Sequence, residues 1–367
     1  MGSVFSQEGC AKEYLAPTVH LAPPKGTMND TPTRMIVIGA SSGGVEALLG
    51  LAPQLPADLA APIVLVLHIG AHRSHLPELL NSRGPNRAVF ARTGAVPVAG
   101  TIHVAPPDEH VLLENGVIRL SRGPKEHHSR PAIDPLFRSA ALDGGTRVIG
   151  VVLTGLLDDG TAGLQAIKEC GGTAVVQDPA DAAEPSMPLS ALESVEVDHV
   201  VRLDALAQLL TDLARPAEWA APISAPEWLR TEHAITQGEG HMRKLATIGN
   251  PSGFTCPDCG GALFELLRGR PTGFLCHTGH AFSLRSLALT HEAITDHALW
   301  SGLRALQEKE AVLRRLAREQ VPGASGAAAM LAEADQLAAF IDHMRSAVIK
   351  GPPGRSVEAA PVEPPTA

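Results

Sequence analysis

An α/β fold, a doubly wound and mostly parallel sheet flanked by helices, is what this sequence predicts. Three observations predict it: continuous apolar runs rich in β-branched residues, stretches of helical period between them, and an aliphatic supply of core residues. Hydrophobic residues make up 44% of the chain and aromatics only 3%. The core must therefore be built of Val, Leu, Ile and Ala, as strands covered on both faces require. At 367 residues the chain exceeds one ordinary domain, so boundaries are to be sought.

Residues 1–33 carry Pro, Gly and Thr without periodicity and are expected to be disordered; Met1, Gly2 and Ser6 there fit the loose myristoylation pattern by coincidence. Order is expected from residue 34 to 215. Met35 to Ile38 reads as a strand, Gly39-Ala40-Ser41-Ser42-Gly43-Gly44 as a tight turn, and Leu48, Leu49 and Leu51 mark a helix. Ile63 to Leu67 is a buried strand ending at His68. Val148 to Leu153 is another, ending in Thr154-Gly155-Leu156-Leu157-Asp158-Asp159-Gly160 before a helix from Leu164 to Cys170. His110 to Leu113 and Val117 to Leu120 flank Asn115-Gly116, a type I′ hairpin signal. A strand at Thr173 to Val176 and a helix around Leu206 to Leu213 complete the domain.

Pro, Trp and mixed charge over 216–253 read as a linker. A Cys/His unit is expected over 254–285 and a helical region over 286–350, where Leu299, Leu303, Leu306, Leu313 and Leu316 recur at helical spacing before a second helix from Ala327 to Val348. Residues 351–367, with five prolines, are expected to be disordered.

Formal charge is -9, and no Lys/Arg run could neutralise a phosphate backbone, so nucleic acid is not expected as a partner. No apolar run approaches a membrane span and no secretory leader is visible, so no membrane insertion and a cytoplasmic location are expected. The five cysteines, Cys10, Cys170, Cys256, Cys259 and Cys276, are odd in number and unevenly placed, unlike a secreted disulfide framework.

In a parallel sheet the carboxyl ends of the strands share one edge, so Ser41, His68 and an acid from Asp158-Asp159 can converge. A nucleophile, a base and an orienting carboxylate are what acyl transfer needs. Gly39 to Gly43 also satisfies G-x-S-x-G between strand and helix. The bland reading of that turn, a nucleotide loop, lacks both the G-x-G-x-x-G and the G-K-[ST] spacing. His68 is chosen for its strand end, with His72 and His75 as substitutes, and periodicity does not separate Asp158 from Asp159.

Gly39 to Gly44, Leu67-His68, Val104-Ala105-Pro106-Pro107-Asp108, Arg130 to Phe137 and Thr154 to Gly160 together resemble the catalytic domain of the chemotaxis methylesterases, in order over about residues 35 to 212. The resemblance implies that Ser41, His68 and Asp159 form the triad and that the backbone N–H groups of Ser42 and Leu156 form the oxyanion hole. It further implies hydrolysis of glutamate γ-methyl esters on the cytoplasmic helices of methyl-accepting chemoreceptors, with deamidation of receptor glutamines in some members and no cofactor for catalysis. Two departures stand out. No receiver domain precedes residue 34, so control by phosphorylation in cis is not expected, and Leu156-Leu157 replaces the Met-Gly of the usual T-G-M-G-x-D-G loop.

Cys256-x-x-Cys259, sixteen residues, then Cys276-x-x-x-His280 offers three sulfurs and one nitrogen, a closed set for a structural zinc. His277 competes for the fourth position. Pro257 and Gly260-Gly261 suit a tight knuckle, and a unit this small needs such a crosslink. Similar units follow the esterase domain in some stand-alone relatives. The trailing helices are expected to pack as a hairpin and are candidates for self-association. The rival readings are an adaptor that has kept the fold without the activity, and a hydrolase of another ester.

Overall fold

A computed structural model of the chain describes residues 34–69, 73–215, 223–239, 242–320 and 325–350. The expected disordered segments 1–33 and 351–367, Cys10 and His72 lie outside the described residues.

The first domain is built on β1 (Met35–Ala40), β2 (Ile63–Leu67), β3 (Arg87–Phe90), β4 (Thr101–Val104), β7 (Val148–Val152), β8 (Thr173–Gln177) and β9 (His199–Val201), every pair parallel, in the order β3-β4-β2-β1-β7-β8-β9. β1, β2 and β7 are the runs that read as continuous apolar strands, and all are buried from end to end or nearly so. Alternate β1 residues serve opposite layers. Ile36 and Ile38 join the layer that includes α1 (Gly44–Leu51), α2 (Leu76–Arg83) and α6 (Leu203–Ala214), while Val37 joins the one with α3 (Ile133–Gly144), α4 (Thr161–Glu169) and α5 (Ser186–Ser194).

From β1 the chain first builds outward through β2, β3 and β4 and later returns to the other side through β7. The order of strands therefore reverses between β1 and β7, and the crevice at their carboxyl ends is where such sheets place a site. The expected hairpin is β5 (His110–Glu114) and β6 (Val117–Ser121), with Asn115 at φ 53° and Gly116 at φ 75°, the two positive values a type I′ turn requires.

The expected linker needs correction. Residues 216–222 lie outside the described residues, but 223–253 holds α7 (Glu227–Ala234), a π turn (Ile235–Glu239), α8 (Met242–Ile248) and the start of β10 (Gly249–Thr255). Leu229 of α7 is buried in the layer of α3, and both carboxylate oxygens of Glu232 accept from Arg268 Nη1, at 2.6 and 2.7 Å, while Oε1 lies 3.5 Å from Arg138. A Pro-, Trp- and charge-rich composition hid a segment whose charges are buried as partners.

β10 pairs with β11 (Ala262–Leu266), which is followed by β12 (Gly273–Cys276) and β13 (Ala281–Ser283) in one antiparallel sheet. The Cys/His unit thus begins at residue 249, not 254. α9 (Leu284–Glu319) and α10 (Ser325–Lys350) then pack against each other. No helix among the described residues is long and apolar enough to cross a membrane.

Candidate active site and Cys/His cluster

Ser41 follows β1 directly. Its N–H donates to the Thr154 carbonyl at 3.0 Å, its own carbonyl accepts from Gly44 N–H at 2.8 Å, and Gly43 turns the chain at φ 75° into α1. A Cβ on Gly44 would stand 2.7 Å from Leu67 Cδ1, and one on Gly155 would stand 2.1 Å from Met187 Sδ and 2.8 Å from Ser41 Cβ. The small residues of this turn are what let β1 and the loop after β7 approach each other.

His68 continues β2, its N–H donating to the Ala40 carbonyl at 3.2 Å. Its Nδ1 lies 3.1 Å from Ser41 Oγ and its Nε2 lies 2.7 Å from Asp159 Oδ2. The tautomer that serves both contacts carries its proton on Nε2, leaving Nδ1 to accept from the Ser41 hydroxyl. His75 makes no hydrogen bond to Ser41 or Asp159 among the described residues.

The two acids separate cleanly. Asp159 is 3% exposed and faces His68, while Asp158 turns away and accepts from Ser283 Oγ at 2.6 Å. Asp159 Oδ2 also accepts from Ile133 N–H at 2.7 Å and Oδ1 from Asp134 N–H at 3.0 Å, at the first turn of α3. Burial alone would raise its pKa. The hydrogen bond and charge of His68, the nearby His127 and the Ile133 N–H outweigh that and hold the carboxyl well below the usual range. It is a permanent anion beside the imidazole.

Ser42 is exposed on the turn after Ser41, and Leu156, 54% exposed, lies on the loop after β7. Among the described residues neither backbone N–H donates to a protein acceptor. Gly155 fixes that loop, donating to Glu184 and accepting from Met187 N–H, each at 2.9 Å. Leu157, where the resembled loop has glycine, keeps a left-handed conformation at φ 62°. A leucine is strained in a conformation that glycine adopts freely.

Sequence reasoning did not single out His127. Its Nε2–H donates to Asp134 Oδ2 at 3.1 Å and lies 3.9 Å from Asp159 Oδ1; its Nδ1 is 3.2 Å from Ser286 Oγ. Burial opposes charge on this ring, but the Asp134 hydrogen bond and the carboxylates of Asp159, Asp134 and Asp158 prevail, and its pKa is held up to about 10. Two consecutive histidines before the Arg130-Pro131 motif were the available signal.

In the C-terminal sheet, Cys256, Cys259, Cys276 and His280 converge with all four donor atoms within 4.8 Å of one another. Cys259 Sγ to Cys276 Sγ is 3.8 Å, and His280 Nδ1 lies 3.8 and 3.6 Å from the sulfurs of Cys256 and Cys276. Zn–S bonds of about 2.3 Å at tetrahedral angles separate two sulfurs by about 3.8 Å and sulfur from nitrogen by about 3.5 Å, so the donor set fits zinc in chemistry and in size. The knuckle is closed by Gly260 N–H to Cys256 carbonyl at 2.8 Å and Cys256 N–H to Gly261 carbonyl at 2.7 Å. His277 is not part of the cluster.

The parallel sheet and the Ser41, His68 and Asp159 arrangement define an α/β protein of the serine hydrolase class. The family described as CheB methylesterase matches residues 36–210. A "Protein-glutamate methylesterase/protein-glutamine glutaminase 2" of Anaeromyxobacter dehalogenans is 40% identical over 182 residues, 49% of this chain and 53% of that protein. A protein of Leptospira interrogans serovar copenhageni, whose name gives the same two activities, is 41% identical over 184 residues, 48% of this chain and 93% of its own length. The chain spans about half the length of the former relative. Among solved structures, the catalytic domain of Thermotoga maritima CheB methylesterase is 32% identical with a TM-score of 0.48, covering 50% of this chain and 99% of that one. The chain belongs to the CheB methylesterase family.

Proposed function

We propose that this chain hydrolyses methyl esters of glutamate side chains in a protein substrate, and deamidates glutamine side chains by the same route. The substrate in this reading is the cytoplasmic helices of methyl-accepting chemoreceptors, and the place of work the cytoplasm. The observation that carries it is the unbroken hydrogen-bond chain from Ser41 Oγ through His68 to Asp159. An adaptor that had lost catalysis would have no use for that alignment.

Ser41 Oγ attacks the γ-carbonyl carbon as His68 Nδ1 takes its proton, and Asp159 stabilises the imidazolium through Nε2–H. The oxyanion faces the N–H groups of Ser42 and Leu156, at the positive end of α1 and in the loop after β7. Collapse returns the proton to the leaving group, releasing methanol from an ester or ammonia from an amide. Water then attacks the acyl-enzyme by the same proton route, freeing glutamate and Ser41. These side chains supply the whole acyl transfer.

Cys256, Cys259, Cys276 and His280 in this reading hold a structural zinc, which crosslinks β10 to β13 and takes no part in the reaction. Self-association remains assigned to α9 and α10, where Leu299, Trp300 and Phe340 are exposed. The test is methanol release from a methylated receptor fragment. The native chain is expected to release it and Ser41→Ala is not; a folded native chain that releases none would turn the assignment to the adaptor.

A further inference from the structure

The catalytic acid is braced from two directions. Its own domain supplies Ile133 and Asp134 N–H. The second brace comes from the far end of the chain, where β13 passes into α9. Ser283 caps α9, accepting from Ser286 N–H at 3.0 Å while its own N–H donates to Ser286 Oγ at 2.9 Å. The Ser283 hydroxyl proton then goes to Asp158 Oδ1, 2.6 Å away, in the peptide adjoining Asp159. Ser286 Oγ meets His127 Nδ1, and the other nitrogen of that ring holds Asp134 beside Asp159.

These contacts are buried: Ser283 is 7% exposed, Ser286 1%, Asp158 7% and Asp134 2%. The backbone seals them, because His127 N–H donates to the Ala281 carbonyl of β13 at 2.9 Å. Ala281 directly follows His280 of the Cys/His cluster, so the strand that carries Ser283 is set by the fold of that unit. The Leptospira relative is matched over 93% of its length by 184 residues, so the brace lies outside the part of this chain that the two share.

We propose that Ser283 and Ser286 are positioning residues for the esterase reaction, holding Asp158 and His127 so that Asp159 stays aligned on His68, and that the Cys/His unit thereby completes the active site. The inference rests on the esterase reading given above. A displaced acid lowers the rate of proton transfer without changing substrate contacts, so the loss falls on kcat and leaves KM unchanged.

The test uses the full chain with p-nitrophenyl acetate as probe and four variants. Ser283→Ala is expected to lower kcat about tenfold, and Ser283→Thr, which keeps the hydroxyl donor, to restore it. Ser283→Gly, which an N-cap position tolerates at little cost, has no proton for Asp158 and is expected to fall as far as Ser283→Ala; if Ser283 were only a helix cap it would behave nearly as wild type. Ser286→Ala leaves the donor to Asp158 in place and removes the partner of His127. Alongside, proton NMR follows the His68 Nε2–H that is hydrogen-bonded to Asp159. Its resonance is expected to move or broaden in Ser283→Ala and Ser286→Ala and to return in Ser283→Thr. Because the resonance does not depend on turnover, it decides the inference even if the native chain cleaves no ester. Wild-type kcat in Ser283→Ala and Ser283→Gly, or an unmoved His68 resonance in both alanine variants, would overturn it.

Discussion

Asp159 and Asp134 cap each other's helices. Asp159, just ahead of α4, accepts from Ile133 and Asp134 N–H at the start of α3, and Asp134, in the first turn of α3, accepts from Gly163 N–H of α4 at 2.6 Å. Two carboxylates thus satisfy orphan donors of two packed helices, each at the end where the macrodipole favours an anion. Asp134→Ala is expected to cost about 1–3 kcal/mol, since it strands a buried N–H and the His127 ring. Urea unfolding measures this; a cost near zero would mean that the reciprocal caps contribute nothing.

Leu157 tests whether the departure from the family's loop is tolerated or harmful. A left-handed leucine carries roughly 1–2 kcal/mol of steric cost. Leu157→Gly relieves it while adding freedom to the unfolded chain, and is expected to be neutral or stabilising by up to about 1 kcal/mol. Leu157→Val, branched at Cβ, is expected to cost about 1–2 kcal/mol. The pair of unfolding free energies gives the answer, and Val outranking Gly would contradict the strained assignment.

Acid should destabilise the fold partly through His110. Its ring is buried, which lowers its pKa to about 4, against a Pro124 carbonyl and the Asp159 charge that work the other way. Nε2–H donates to that carbonyl at 3.0 Å and Nδ1 accepts from Ala132 N–H at 3.2 Å, a neutral ring used twice. The unfolded ring titrates near 6.5, so between about 6.5 and 4 the unfolded chain binds a proton that the native one does not. Stability therefore falls as pH drops through that window, by at most on the order of 3 kcal/mol from this group. His233, lowered to about 3 by burial, steepens the same slope. His110→Asn should flatten the fall in urea midpoint between pH 7 and 4; an identical slope would show that the ring is not held neutral.

If Cys256, Cys259, Cys276 and His280 hold zinc, the purified chain carries one ion, and Cys276→Ser lowers both the metal content and the melting temperature. Elemental analysis with thermal unfolding checks this. A metal-free chain whose melting is unmoved by Cys276→Ser would make the cluster a remnant.

Much of the fold was legible because burial on both faces writes itself as continuous apolar runs. Met35 to Ile38, Ile63 to Leu67 and Val148 to Val152 could hardly be anything but central strands. β3 and β4 were missed because Arg87, Thr101 and His103 interrupt so short a pattern. The triad was approachable for a topological reason: parallel strands bring Ser41, His68 and the Asp158-Asp159 pair to one edge. Choosing between the two acids took the resemblance, since one faces His68 and its neighbour faces Ser283, 125 residues further on, a distinction no local pattern records. His127 and Glu232 escaped for the same reason. His127 meets Ser286 and Glu232 meets Arg138, partners far away in sequence, and a charge destined for a buried pair looks like a charge meant for water.

In the proposed reaction Asp159, through His68, makes Ser41 a nucleophile. The measurement that tests it most directly is the rate at which a fluorophosphonate modifies the native chain, Asp159→Asn and Ser41→Ala, with the labelled residue located by peptide mass spectrometry. Labelling is expected to be confined to Ser41, absent in Ser41→Ala and slower by about 10³–10⁴ in Asp159→Asn, where the imidazole loses its tautomer and its counter-charge. Equal rates in the native chain and Asp159→Asn, or label on another serine such as Ser42, would contradict it.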